Sequence, residues 1–442
     1  MKSYFLRPAF CILHLLLLPG ACLLAPAACQ ALPPDSLLVE TLLRKHAAFK
    51  PFLEHPDAFK IQILYTRIDR DKDNIPHFTE YSYGLDRHTY FYCASLVKLP
   101  CAALALEKLN ELHIPGLNRD TRMLSDSAGP CQKRTFTDTS AASGYPSLAQ
   151  YIRRMFLISD NEAYSRCYEM LGQEYISRKL HSKGYPDAYI IQRFDPNCGT
   201  ADNRITNPID FTDEQGKLVY HQPPATCLLP PSSAEATEGK PAFSHPLGHP
   251  TAGKAYIDNN NQKIDGPKDF SNSNFLALED ITHILRSVIF PEATDSLQRF
   301  NITPDDRQFM LRYLGMLPRE SDHPHYKQKD YPDSYKKYLI YGDHKNTLHL
   351  DTLRSFNIVG QSYGFMTDVA YICDYKNKVE FMLSATIYAN ADEVINDNKY
   401  DYVKVALPWF SELGKVIYRY DKKRKRVIKP RLGGFVFPYG LR

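Results

Sequence analysis

Phe91-Tyr92-Cys93-Ala94-Ser95-Leu96-Val97-Lys98-Leu99-Pro100-Cys101-Ala102-Ala103-Leu104-Ala105-Leu106 joins an aromatic, strand-like run to an Ala- and Leu-rich one. From Leu96 to Leu112 apolar residues recur every three or four positions, the pattern of a buried helix. Ser95 opens that helix, and Lys98 stands three residues on, on the same face one turn away. A serine hydroxyl is a weak nucleophile at neutral pH. A neighbouring amine whose pKa has fallen through desolvation can take its proton. The helix N-terminus adds free N–H groups and a positive dipole end, both favourable to an oxyanion. Pro100, read as lying in the second turn, is expected to cost one backbone bond and to bend the helix.

Ser159-Asp160-Asn161 follows 64 residues after Ser95, interrupting helical sequence that runs from Leu148 to Leu171. It supplies a second hydroxyl, able to pass a proton, and an amide able to hold a substrate carbonyl. The two motifs together describe acyl transfer through a serine ester. S-x-x-K alone is a weak signal, and a second match exists at Ser334-Tyr335-Lys336-Lys337. That one follows Pro332 and Asp333 in a polar stretch and reads as an exposed helix start.

Outward from the first motif, Leu38 to Phe52 has helical spacing, and Phe59 to Asp69 alternates as a half-buried strand does. Arg87 to Tyr92 is expected to be a second strand running into Ser95. Ile190 to Pro208 reads as a loop. Asp210 to about Ser273 is rich in Pro, Gly, Ser and Asn, and helices are expected to resume at Leu276 to Ile289 and Asp305 to Tyr313. Val369 to Cys373 and Val379 to Tyr388, joined by Asp374-Tyr375-Lys376-Asn377-Lys378, form a hairpin signal. Val403 to Tyr418 is again helical. This order predicts an α+β fold, an antiparallel sheet covered by helices, as one domain over 32–442 with a long irregular insertion at about 210–350.

With 442 residues, 43% of them hydrophobic, the chain has ample material for a core, and a formal charge of +4 is too small to suggest a nucleic-acid surface. The basic cluster Lys422 to Lys429 reads as a solvated segment. Lys2 and Arg7 before an apolar run from Ala9 to Leu18, followed by small residues to Ala31, read as an export signal over residues 1–31. Cleavage fits after Ala27, or Cys29 is acylated as in a bacterial lipoprotein. The expected location is therefore the periplasm or a membrane, anchored through a lipid on Cys29. Beyond the leader, Cys93, Cys101, Cys131, Cys167, Cys198, Cys227 and Cys373 give an odd number with irregular spacing, from which no pairing follows. No metal-ligand spacing occurs and no cofactor is implied. His323 and His325 read as turn residues.

The two motifs resemble those of the penicillin-recognising serine hydrolases, particularly class A β-lactamases. That family's third element is a strand motif K-[ST]-G, then Gly, then Asp-(Ile/Val)-Ala. Here Ile358-Val359-Gly360-Gln361-Ser362-Tyr363-Gly364-Phe365-Met366-Thr367-Asp368-Val369-Ala370 matches from Gly360 onward. The chain is also similar to a group of exported serine hydrolases from Bacteroidetes. The resemblance covers about Phe59 to Ile205 and Ser355 to Tyr418 and implies a β-lactamase/transpeptidase-like fold with a helical cluster. It makes Ser95 the nucleophile, Lys98 its activating partner and Ser159 the proton relay. It places Asn161, Gly360, Gln361 and Ser362 at the substrate, with the N–H groups of Ser95 and Gln361 as oxyanion hole. Ile358 and Val359 depart from the pattern, removing the cation and hydroxyl that hold a carboxylate. Arg193-Phe194-Asp195-Pro196 resembles the loop whose glutamate activates the deacylating water, and Asp195 lies 36 residues after Ser159. Aspartate is one methylene shorter, so Asp195 reads either as that base or as a loop residue paired with an arginine.

The function expected is an exported serine hydrolase acting through an acyl-enzyme on an amide or ester, a small molecule or a peptide. The alternative is a catalytically impaired member of the same fold that binds a peptide, glycan or protein partner at the cell surface.

Overall fold

Ten-residue strands whose side chains are buried at nearly every position require both faces of their sheet to be covered. The computed structural model describes residues 36–228, 244–342 and 352–439, and the described part of the chain packs as one unit. The leader and Cys29 lie outside the described residues. Five strands form the main sheet: β1 (Gln62–Arg70), β2 (Pro76–Tyr83), β3 (Leu353–Ser362), β4 (Phe365–Asp374) and β5 (Val379–Tyr388). Their order is β3-β4-β5-β1-β2, and every neighbouring pair is antiparallel.

Two cores lie on the two faces. Phe381, Leu383, Ala385 and Ile387 of β5 join Ile63 and Tyr65 of β1 in one of them. Helix α1 (Ser36–Arg44) contributes Val39 and Leu43 to it, and a C-terminal helix contributes Trp409, Phe410 and Leu413. The alternate residues Met382 and Tyr388 join Val369, Tyr371 and Cys373 in the other core, with the helices that carry the site. Each buried large aliphatic or aromatic side chain contributes about 1.5–3 kcal/mol, so the two-sided burial fixes strand register strongly.

Those helices are α2 (Lys98–Leu112), α3 (Leu148–Ile158), α4 (Asn161–Leu171), α5 (Leu278–Ile289) and α6 (Pro304–Gly315). The C-terminal helix is α7 (Leu407–Lys423). Thr303 caps α6 through a reciprocal box with Asp306, the arrangement that satisfies first-turn N–H groups.

Several expectations need correction. Arg87 to Tyr92 forms no strand: Tyr90, Phe91 and Tyr92 are buried in the helix-side core, so their apolar pattern reflects burial and not ladder pairing. The 210–273 stretch is less irregular than its composition suggests. It holds Ile209–Thr212, Leu218–Gln222, Thr251–Ala252, Ala255–Ile257, Lys263–Asp265 and Lys268–Asp269, strands too short to display alternation. Within the basic C-terminal cluster, Arg424 and Arg426 fold back onto buried Asp421. Cys131 and Cys198 form a disulfide, with Cα atoms 5.2 Å apart. Among the described residues no helix is long and apolar enough to cross a membrane.

Candidate active site

Ala94 has φ 45°, a left-handed conformation that costs a non-glycine residue about 1–3 kcal/mol. This kink swings the chain into a single 3-10 turn, Ala94–Val97, and α2 begins immediately after it at Lys98. Pro100 is thus the third residue of α2. The 3-10 turn runs straight into α2, so Pro100 stands in the second turn of the continuous helical stretch from Ala94, as expected, and has no N–H to offer the Leu96 carbonyl.

The Lys98 side chain is fully buried. Its Nζ lies 2.9 Å from Ser95 Oγ, 2.9 Å from Ser159 Oγ and 2.8 Å from Asn161 Oδ1, and it also bonds the Ser159 carbonyl. The Phe194 ring centre is 5.4 Å away. Burial holds the amine well below the usual lysine range. The neighbouring Lys336 ammonium pushes the same way, and Asp160 opposes it. A lysine so placed is poised to be a neutral base.

Ser159 reaches Lys98 because α3 ends on it in a left-handed conformation, φ 58°, and α4 starts two residues later. Asp160 has a structural task. Its carboxylate accepts from Ala163 N at 3.0 Å as the N-cap of α4 and pairs with Arg154 at 2.8 Å. The S-D-N turn is therefore at once the cap of α4 and the bracket that holds the Lys98 amine. Ala163, Tyr164 and Cys167 of α4 lie in one core with Leu99 to Leu106 of α2, which locks the two motifs together.

Edge strand β3 closes the opposite side. A Cβ on Gly360 would meet the Cys93 carbonyl oxygen at 2.5 Å and Leu96 Cγ at 3.3 Å, so only glycine lets the strand approach the Ser95 turn this closely. Tyr363 and Gly364, with φ 52° and 81°, form the two-residue turn into β4, the double positive φ of a hairpin turn. Gln361 lines the cleft, and its Oε1 accepts from Tyr338 Oη at 3.0 Å. Gly360 is a spacer, and neither it nor half-buried Ser362 lines the cleft. Ile358 and Val359 point into the two opposite cores.

Asp195 does not line the cleft. Its carboxylate pairs with Lys133 Nζ at 2.8 Å and accepts from Asn197 N at 3.0 Å, and the Lys133 bond holds it below the usual carboxylate range. Its partner is a lysine, where the sequence pointed to an arginine. Arg193 instead binds buried Glu169 at 3.2 Å and the Ile205 carbonyl at 2.8 Å, fixing the loop. The Cys131–Cys198 bridge ties the same loop to the Lys133 segment.

The second S-x-x-K does open a short helical turn, the 3-10 helix Asp333–Lys336, but only part of it faces solvent. Ser334, Tyr335 and Lys336 line the same cleft as Ser95, Ser159, Asn161 and Gln361, a cavity of about 490 Å³. Lys337 turns the other way and is buried. It donates to the Leu314 and Ser355 carbonyls at 2.7 and 2.9 Å and to Asn357 Oδ1 at 2.6 Å. Tyr338, Tyr400 and Tyr402 also line the cleft and carried no signal in the sequence.

Residues 72–222 match the family model described as the beta-lactamase enzyme family. Over that stretch the chain is similar to the penicillin-recognising serine hydrolases. In backbone it is similar to a class A beta-lactamase from Clostridium kluyveri at 12% identity and a TM-score of 0.44, covering 86% of this chain and 98% of that one. It is similar also to a beta lactamase from Xanthomonas campestris at 12% and 0.44, covering 86% and 97%. A third similar structure is PBP-A, at 12% and 0.46, covering 89% and 100%. No curated protein matches it in sequence.

Proposed function

We propose that the chain is an exported serine hydrolase that forms an acyl-enzyme on Ser95. The observation that carries this reading is the fully buried Lys98 amine, 2.9 Å from both Ser95 Oγ and Ser159 Oγ. In acylation the Ser95 hydroxyl proton passes to Lys98 Nζ as Oγ bonds the substrate carbonyl carbon. The carbonyl oxygen takes the negative charge, and the N–H groups of Ser95 and Gln361 receive it. On collapse the bond to the leaving group breaks, and the proton reaches that group from Lys98 through Ser159 Oγ. Asn161 keeps its Oδ1 on Lys98, which leaves its Nδ2 to hold a substrate carbonyl.

Deacylation reverses these transfers, with water in place of the leaving group. No acidic side chain lines the cleft among the described residues, so the water's proton goes to the Lys98–Ser159 pair and not to Asp195. A positioned base of this kind contributes about 10²–10⁴ in rate.

Export rests on the charged and apolar leader, and the Cys131–Cys198 disulfide supports it, since such bonds persist mainly in oxidising compartments. Anchoring through a lipid on Cys29 belongs to the same proposal. The test of the enzymatic reading is thiol release from phenylacetyl thioesters by the wild type and by Ser95→Ala. Release by the wild type that the variant lacks supports the reading, and equal release by both overturns it.

A further inference from the structure

Among the described residues the cleft is lined by one amine, Lys336, and by no carboxylate. Lys336 belongs to the segment before β3, not to the strand that faces Ser95. The segment is held rigidly. Asp333 is buried and bound by Arg319 at 2.9 Å, and Lys337 is inserted beneath it. Buried Asp368 accepts from the Tyr338 and Leu339 N–H groups at 3.1 and 3.0 Å and from Asn357 Nδ2 at 2.8 Å. Asp333, Lys337, Tyr338 and Leu339, on either side of Lys336, are therefore tied down. Its own amine makes no ion pair or hydrogen bond among the described residues, lying only over the Tyr335 ring at 5.1 Å.

A half-buried amine that makes no ion pair among the described residues, with Asp368 acting on it only at a distance, carries a desolvation cost when charged, which an anion entering the cleft would offset. We propose that the acyl donor is an anion, and that Lys336, with Ser334 beside it, binds its carboxylate while Ser95 attacks its carbonyl carbon. Burial lowers Lys336 to about 7 against the pull of Asp368, so a bound carboxylate also secures the charge that recognises it. The proposal deepens the acyl-enzyme reading and rests on it for the reaction, though not for the binding.

The test compares the phenylacetyl thioester of thioglycolic acid with the same thioester of methyl thioglycolate. These differ only in a free or methylated carboxylate. In both, Ser95 Oγ would bond the acyl carbon, and the C–S bond would break to release the thiol. The wild type should favour the free acid in kcat/KM by about tenfold or more. Lys336→Gln should bring the ratio of the two substrates to about one, and Lys336→Arg should keep the preference. Both substrates meet the same nucleophile, so any effect of the substitution on Lys98 cancels in the ratio. A ratio unchanged in Lys336→Gln overturns the proposal. If neither thioester is turned over, the acyl-enzyme reading is what fails, and the anion site is judged by calorimetric titration with phenylacetylglycine. Binding by the wild type that weakens about tenfold in Lys336→Gln sustains it. Equal affinity in the two proteins, or no binding to either, overturns it.

Discussion

Lys98 Nζ and Ser95 Oγ lie 2.9 Å apart, with the lysine side chain out of contact with solvent. The amine that the proposed acylation uses as its base is thus held where carrying a proton is unfavourable. Lys98→Met should lower acylation by about 10²–10⁴, read as the rate of covalent labelling. Lys98→Arg should not restore it, because a guanidinium does not give up its proton. Labelling by Lys98→Arg at the wild-type rate would count against a base at this position.

The same burial sets a pH dependence. Burial first, and Lys336 second, lower the pKa of Lys98, and only the neutral amine accepts the serine proton. Acylation by an uncharged reagent should therefore rise with pH through a value well below 10.5 and be lost as pH falls through it. A rate that begins to rise only near the ordinary lysine pKa would contradict this.

Gly360→Ala should impair both folding and acylation. The added methyl would sit 2.5 Å from a backbone carbonyl, which cannot swing aside as a side chain can. A cost of about 1–3 kcal/mol is expected. Gly433, where a Cβ meets nothing within 4 Å, is the control. Thermal melts of both alanine variants decide the matter.

Lys337→Met should destabilise the protein by about 3 kcal/mol. It would strip the partner from the Leu314 and Ser355 carbonyls and leave Asp368 without its buried counter-charge. Denaturant unfolding measures this directly.

The Cys131–Cys198 bridge spans a sequence separation of 67 residues. Loop-closure entropy assigns such a crosslink about 4 kcal/mol. Reduction should lower the melting temperature and loosen the Arg193–Asp195 loop. A melting temperature indifferent to reductant would contradict it.

The sequence discloses those parts of the site that local spacing controls. Ser95 and Lys98 share a helix face by the arithmetic of one turn. Ser159 and Asn161 are recognisable because cap residues interrupt a periodic helix. The α+β sheet is legible in the hairpin of β4 and β5, whose apolar runs are long and cleanly bounded. Lys336 is not legible, because a polar segment reads the same whether it faces solvent or lines a cleft. The pairing that places Asp195 on Lys133 depends on loops brought together by a disulfide, and an odd cysteine count with irregular spacing encodes no pairing. Tyr90 to Tyr92 mislead for the converse reason, being apolar enough for a strand while filling a core.

Peptide mapping by mass spectrometry after incubation with a fluorophosphonate tests the central claim most directly. The account predicts one adduct, on Ser95, formed by the wild type, slowed by about a hundredfold or more in Lys98→Met and absent in Ser95→Ala. An adduct elsewhere in the chain, or none on the folded wild-type protein, would contradict it.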